Sequence, residues 1–210
     1  MIAADWREFL GLVRISTAQC PVSAILAKVR EAAREFCAGT RIWTAATEAA
    51  AIIAGQPAYG LRPPDEADIC AVLAVRVLGQ RLAPRTPDQW RALPPAAARQ
   101  PVQFIVREPS IVHLYPTPAE DVPAAFQAEV ALQPSVRSAR GPQFLLTRYG
   151  AVIAKGAQAE LLIIPDRPWT DPANGAALRQ EFKEDIAAAK IGVEGGGADA
   201  PSQVKYIPFC

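Results

Sequence analysis

The chain is poor in the residues that most site chemistry needs. One histidine, His113, stands in 210 residues, and the four cysteines Cys20, Cys37, Cys70 and Cys210 lie far apart with no C-x-x-C among them. A zinc site needs a tighter cluster of thiolate and imidazole, so the thiols read as buried or incidental. No serine or cysteine sits in a nucleophile elbow for His113 to serve, and His113 itself falls mid-strand between Ile111 and Tyr115. Neither G-x-x-x-x-G-K-[ST] nor G-x-G-x-x-G occurs. Gly195–Gly197 has no strand before it and no helix after it, so it cradles no phosphate. No cofactor, no metal and no catalytic residue is expected.

An excess of charge of either sign is also lacking. Twenty-two basic residues face 21 acidic ones, a net charge of +1, which excludes the basic field of a broad nucleic-acid binder and any polybasic membrane anchor. No apolar run approaches the roughly 20 residues a membrane span needs. The opening MIAADWREFL carries acids and lacks the apolar core of a secretory signal. The expectation is a protein made in the cytoplasm that meets no membrane.

What the chain has is apolar periodicity, cut into pieces by 20 prolines. Asp5 followed by Glu8 forms a capping-box pattern, and Trp6, Phe9, Leu10 and Val13 share a face, which predicts a short helix. Ser16–Cys20 reads as a turn. Pro21 then opens a strong helix in which Val22, Ile25, Leu26, Val29, Ala33 and Phe36 recur at helical spacing, with Lys28, Glu31, Arg34 and Glu35 on the wet side and Gly39 as the stop.

From Trp43 the period changes. Tyr59–Leu61, Ile69–Leu78, Val102–Val106 and Ile111–Tyr115 read as strands, separated by turns at Gly55–Pro57, Arg62–Asp65, Gly79–Gln80 and Glu108–Ser110. Ile69–Leu78 is almost continuously apolar, as a central strand is. Thr86-Pro87-Asp88-Gln89-Trp90 is a short helix with a threonine cap and proline at its first position, Trp90 and Leu93 packing inward. In Ala124–Leu132, Phe126, Ala128, Val130 and Leu132 alternate with Gln127 and Glu129. Short strands between proline-rich turns predict an antiparallel sheet or sandwich. Gln133–Pro142 reads as a polar link.

Two more helices follow, joined by the corner LLIIPDRPWTDP, Leu161–Pro172. The first carries Leu145, Tyr149, Val152, Ile153 and Leu161, with small residues from Gly150 to Ala159 that permit close approach within or between subunits. The second carries Leu178, Phe182 and Ile186. Pro165 and Pro168 bar either helix from running through, Asp171 caps the second, and Trp169 is large enough to plug the corner. The last residues include a glycine hinge and an apolar end, with Val204, Tyr206, Ile207 and Phe209 as a candidate docking tail.

Carboxylate clusters at Asp65, Glu66 and Asp68, at Glu120–Asp121, and at Glu181 with Asp185 beside Lys183 are expected to be solvated surface. The arginines of the strand region (Arg76, Arg81, Arg85, Arg91, Arg99, Arg107) fit ordinary surface or subunit ion pairs better than DNA contacts.

The residues thus predict an α+β chain: an α-helical bundle of about four helices with an inserted antiparallel β-sheet or sandwich domain and an extended C-terminal tail. The divisions are 1–43 (N-terminal bundle helices), 44–134 (β domain), 135–191 (C-terminal helix pair) and 192–210 (docking tail). Three pieces in this order, Cys20–Trp43, Gly55–Leu61 and Phe144–Lys190, resemble the head-to-tail adaptors of short-tailed bacteriophages, the tail tubular protein A type. The resemblance implies a structural virion protein. It implies a homo-oligomeric ring of twelve subunits between the portal protein and the tail nozzle protein. Genomic DNA would pass through its lumen without sequence specificity. The apolar tail is then a candidate for docking on the portal. Two other classes stay open on the residues alone: a virion-associated cell-wall or polysaccharide hydrolase, which needs two acids across a cleft, and a β-sandwich receptor-binding module.

Overall fold

The computed structural model describes residues 3–15, 17 and 19–195. The candidate tail residues Val204, Tyr206, Ile207 and Phe209 lie outside the described residues.

The N-terminal capping box forms as its spacing predicts. Strand β1 (Ala3–Asp5) enters a 3-10 turn over Trp6–Phe9 and the one-turn helix α1 (Leu10–Val13). The Asp5 amide donates to Glu8 Oε1 at 2.9 Å while the Asp5 carboxylate caps the turn. Trp6, Phe9 and Val13 are buried. Helix α2 (Val22–Thr40) buries Ile25, Val29, Ala33 and Phe36. It differs from expectation at both ends. Val22, at its start, is exposed. Gly39 lies inside the helix, and Arg41 takes the left-handed stop at φ 54°. The reason for the glycine is packing: a Cβ there would stand 2.7 Å from Ile186 Cγ2. Arg34 and Glu35 are half-buried, engaged in ion pairs rather than left to solvent.

The strands β2 (Thr44–Ala46), β3 (Ala50–Ile52), β4 (Ala58–Gly60), β5 (Ala67–Val77), β6 (Gln80–Arg81), β7 (Ala83–Pro84), β8 (Gln103–Glu108), β9 (Ile111–Tyr115) and β10 (Val122–Pro134) build two sheets. One runs β2–β10–β5–β6, with β3 also on β10; the other runs β4–β9–β8–β7. Tyr59 of β4 stacks on Phe126 of β10 at 5.0 Å between ring centres, so the sheets share a core. The alternation in β10 holds from Phe126 to Val130, with Gln127 and Glu129 exposed; beyond it Ala131 is buried as well as Leu132, where the pairing with β5 shifts register. β5 is central in its sheet, between β10 and β6. The hairpin after it turns on Leu78 (φ 51°) and Gly79 (φ 76°), one residue earlier than predicted. Positive φ at both central positions matches the twist of the flanking strands.

One pair departs from the antiparallel rule. β7 and β8 run parallel, Ala83 beside Gln103 and Pro84 beside Phe104. Residues 85–102 supply the long connection that a parallel pair needs. They include α3 (Pro87–Arg91), whose Thr86–Gln89 capping box is complete. This segment lies on the second sheet through Trp90, edge-on to Tyr115, and through the Tyr115 hydroxyl, which donates to the Pro94 carbonyl at 2.7 Å.

The stretch after β10 is more ordered than a polar link. It ends in β11 (Arg140–Pro142), antiparallel to β1. Ser138, buried, organises it: Trp6 Nε1 donates to the Ser138 carbonyl at 3.1 Å, and Arg30 Nη1 donates to the same oxygen at 3.3 Å. Pro142 then starts α4 (Gln143–Leu162), and Asp171 caps α5 (Pro172–Glu194) by accepting from the Asn174 amide. The long helices α2, α4 and α5 pack together, with the N-terminal turn and α1 against α4. The architecture is a helical bundle carrying an inserted antiparallel β region.

Candidate assembly surfaces

The bundle has two distinct ends, set by the registers of its helices. α4 and α5 are antiparallel: Lys155 meets Glu181 and Asp185, Gly156 meets Phe182, and Glu160 faces Arg179. α2 runs parallel to α5, Glu35 on Arg179 and Gly39 on Ile186, and antiparallel to α4, Phe36 on Tyr149. The start of α2 therefore lies beside the proline corner. The end of α2 and the start of α4 lie together where the chain enters and leaves the β region.

Small residues let these helices close up. A Cβ on Gly156 would stand 2.8 Å from two carbons of the Phe182 ring, so only glycine admits that ring. Phe182 is fully buried for this reason. The close approach anticipated for Gly150–Ala159 is thus used at Gly156 within one subunit. Two half-exposed ion-pair groups flank it. Lys155 Nζ lies 3.0 Å from Glu181 and 2.8 Å from Asp185, whose hydrogen bonds raise its pKa. These two acids were expected beside Lys183; the helix register gives them Lys155 instead. Arg179 takes Glu35 in a two-fold hydrogen bond, Nη1–Oε2 2.7 Å and Nη2–Oε1 2.8 Å. On the other side of α2, Arg34 reaches Asp68 of β5 at 2.7 Å and the Pro134 carbonyl, tying bundle to sheet.

The corner is held by a residue that composition did not single out. The Thr170 hydroxyl donates to the Ile164 carbonyl at 2.6 Å and accepts from the Arg167 amide at 3.0 Å. The Asp171 amide donates to the Leu162 carbonyl. Pro165 and Pro168 are exposed, and Trp169 is half-buried against the core, with its Nε1 buried and without a partner among the described residues.

Exposed apolar side chains mark both ends. Ile15 (83 % exposed), Val22 and Ile163 lie at the corner end; Ile53, Leu78 and Val102 lie on the β region. Arg76 and Arg81 stand directly opposite each other on β5 and β6, and neither has an ion-pair partner among the described residues. Arg91 pairs with Asp88. Cys20 and Cys37 are buried and Cys70 half-buried, all with free thiols, and burial pushes the Cys37 thiol far up. Among the described residues no group of three or more His, Cys, Asp or Glu could hold a metal ion, and no helix is long and apolar enough to cross a membrane.

The fold is thus a helical bundle with a β excursion at one end and exposed apolar side chains at both, a form suited to assembly. The SU10 adaptor protein family matches residues 4–203, and the chain belongs to that family of phage head-to-tail adaptors. Among curated proteins no match is found. Membership makes the chain a structural, non-catalytic component of a bacteriophage virion that acts as an oligomeric adaptor between head and tail. It decides against the hydrolase reading.

Proposed function

We propose that the chain is one subunit of a twelve-membered ring that joins the portal protein to the tail nozzle protein. The genome passes through its lumen without sequence specificity, as the near-neutral net charge of +1 favours. The protein is made in the host cytoplasm and ends in the connector of the tail. Residues 1–43 and 135–191, with α5 running on to Glu194, form the ring-building bundle, 44–134 the projecting β domain, and the residues after Glu194 a docking tail. Val204, Tyr206, Ile207 and Phe209 engage the portal, and Trp169, Pro165 and Pro168 set the corner.

The observation that carries this reading is the two-ended bundle. Ile15, Val22 and Ile163 leave apolar surface at the corner end, and the β region projects from the other. A surface of this kind is stable in a monomer only if it is small, and a ring contact buries it. The purified chain mixed with its portal is expected to give a defined complex in size-exclusion light scattering. Persistence of the two separate masses at micromolar concentration overturns the portal contact.

A further inference from the structure

A groove of about 360 Å³ opens where the bundle meets the β region. Ala3, Trp43, Ala45, Leu132 and Pro142 supply its apolar lining, and Asp65, Glu66 and Arg140 line it too. Trp43 is 93 % buried, and its indole Nε1 has no hydrogen-bond partner among the described residues. A buried donor left unpaired is costly. Beside it β2 is the last strand of its sheet, so the outer edge of Thr44–Ala46 pairs with no described strand. An apolar trough next to an open strand edge takes an extended peptide: the edge supplies main-chain hydrogen bonds and the trough takes alternate side chains.

We propose that the occupant, before assembly, is the chain's own segment Val204–Phe209. This rests on the reading of that segment as a docking tail. The helix register places its origin. With Lys155 on Asp185 and Gly156 on Phe182, the antiparallel course of α4 and α5 carries the C-terminal end of α5 towards the end of the bundle where α4 begins, at Gln143. Gln143 follows directly on Pro142, which lines the groove. Gly39 on Ile186 brings the end of α2, three residues before Trp43, to the same end of α5. From Gly195, the eight residues 196–203 span up to about 27 Å when extended, ample to reach a trough at the same end of the bundle. The chemistry matches. In VKYIPF, Val204, Tyr206 and Pro208 fall on one side of an extended chain and Lys205, Ile207 and Phe209 on the other. Lys205 carries the charge opposite to Asp65, which has no ion-pair partner among the described residues. The groove would then store the tail on the free subunit and give it up to the portal.

The test uses the free, full-length chain, so its failure is separate from failure of portal binding. Trypsin cleavage after Lys205 is followed by mass spectrometry, and amide exchange is followed at Thr44–Ala46. Ala45→Phe fills the trough from an edge strand, and Tyr206→Ala with Phe209→Ala weakens the tail without touching the core. Either change is expected to speed Lys205 cleavage and β2 exchange roughly ten-fold, the effect of losing a contact of about 1.4 kcal/mol. Both rates in the parent chain should stay constant on dilution. Cleavage and exchange equal in parent and variants overturn the proposal. Protection that fades on dilution assigns the groove to the tail of a second copy and overturns storage on the same chain.

Discussion

Arg179 and Glu35, 144 positions apart in sequence, form a bidentate pair at 2.7 and 2.8 Å that joins the helices on either side of the β insertion. The pair fixes α5 against α2, and the Arg179 guanidinium also lies 5.8 Å from the centre of the Phe182 ring. Both side chains are about a third exposed, so solvent screens the charge. Arg179→Ala is expected to cost about 1 kcal/mol, and Arg179→Lys much of the same, because an ammonium cannot span both carboxylate oxygens. Urea denaturation of the three proteins measures this. Full retention of stability in the lysine variant contradicts a geometric role.

Gly156 governs the neighbouring contact. Gly156→Ala drives a methyl into the Phe182 ring, and the expected loss is about 1–3 kcal/mol despite the better helix propensity of alanine. A melt unchanged or raised would show that α4 and α5 can separate freely. Gly192, where a Cβ meets nothing within 4 Å, is the control: Gly192→Ala should stabilise slightly.

Trp169 separates bulk from polarity. Trp169→Ala removes a half-buried indole and should cost about 2 kcal/mol, less than a fully buried ring. Trp169→Phe keeps much of the ring and deletes an unpaired buried donor, so it should be near neutral. Thermal melts of both variants check the order. Equal loss in the two would mean that Nε1 has a partner.

His113 gives the chain a pH signature in a range where no other side chain normally titrates. Partial burial in β9 lowers its pKa from 6.5, Arg107 lowers it further, and Glu108 opposes them. The unfolded chain therefore takes the proton more readily. Stability from this residue is complete above the unfolded value and falls as pH drops through about 6.5 towards the folded value. His113→Gln should flatten that slope between pH 7 and 5, as read from urea midpoints. An unchanged slope contradicts it.

Much of this fold was legible in the sequence, for stated reasons. Caps are local chemistry, so Asp5–Glu8, Thr86 and Asp171 could be placed from the sequence alone. The alternation of Phe126–Val130 could be read for the same reason: one buried face repeats every second residue. Long-range relations could not be read. Gly39 looked like a helix stop because its true reason, Ile186, lies 147 residues away. Glu181 and Asp185 looked like solvent surface because their partner Lys155 is on another helix. Residues 133–142 looked like a link because their order comes from distant partners: β5 for Gln133 and Pro134, Trp6 and Arg30 for Ser138, and β1 for Arg140–Pro142. At the corner, the prolines and Trp169 stood out in the sequence, yet Thr170 makes the hydrogen bonds.

Leu78 carries a prediction that joins stability to assembly. It is 52 % exposed and takes φ 51° at the tip of the β5–β6 hairpin, a conformation that costs a leucine about 1 kcal/mol or more. Leu78→Asn suits the turn and should raise the melting temperature by a few degrees. If Leu78 serves a contact between subunits or with the tail, the same variant weakens the assembled particle. Stabilisation with assembly unchanged would confine its role to the turn.

The role proposed for this chain is that of a ring-forming adaptor seated between head and tail. Electron microscopy of the chain mixed with its portal tests it most directly. A closed twelve-fold ring stacked on the portal, with the β regions projecting away from the bundle, is the predicted image. Portal particles bare of added density, beside adaptor that circular dichroism shows to be folded, would contradict it.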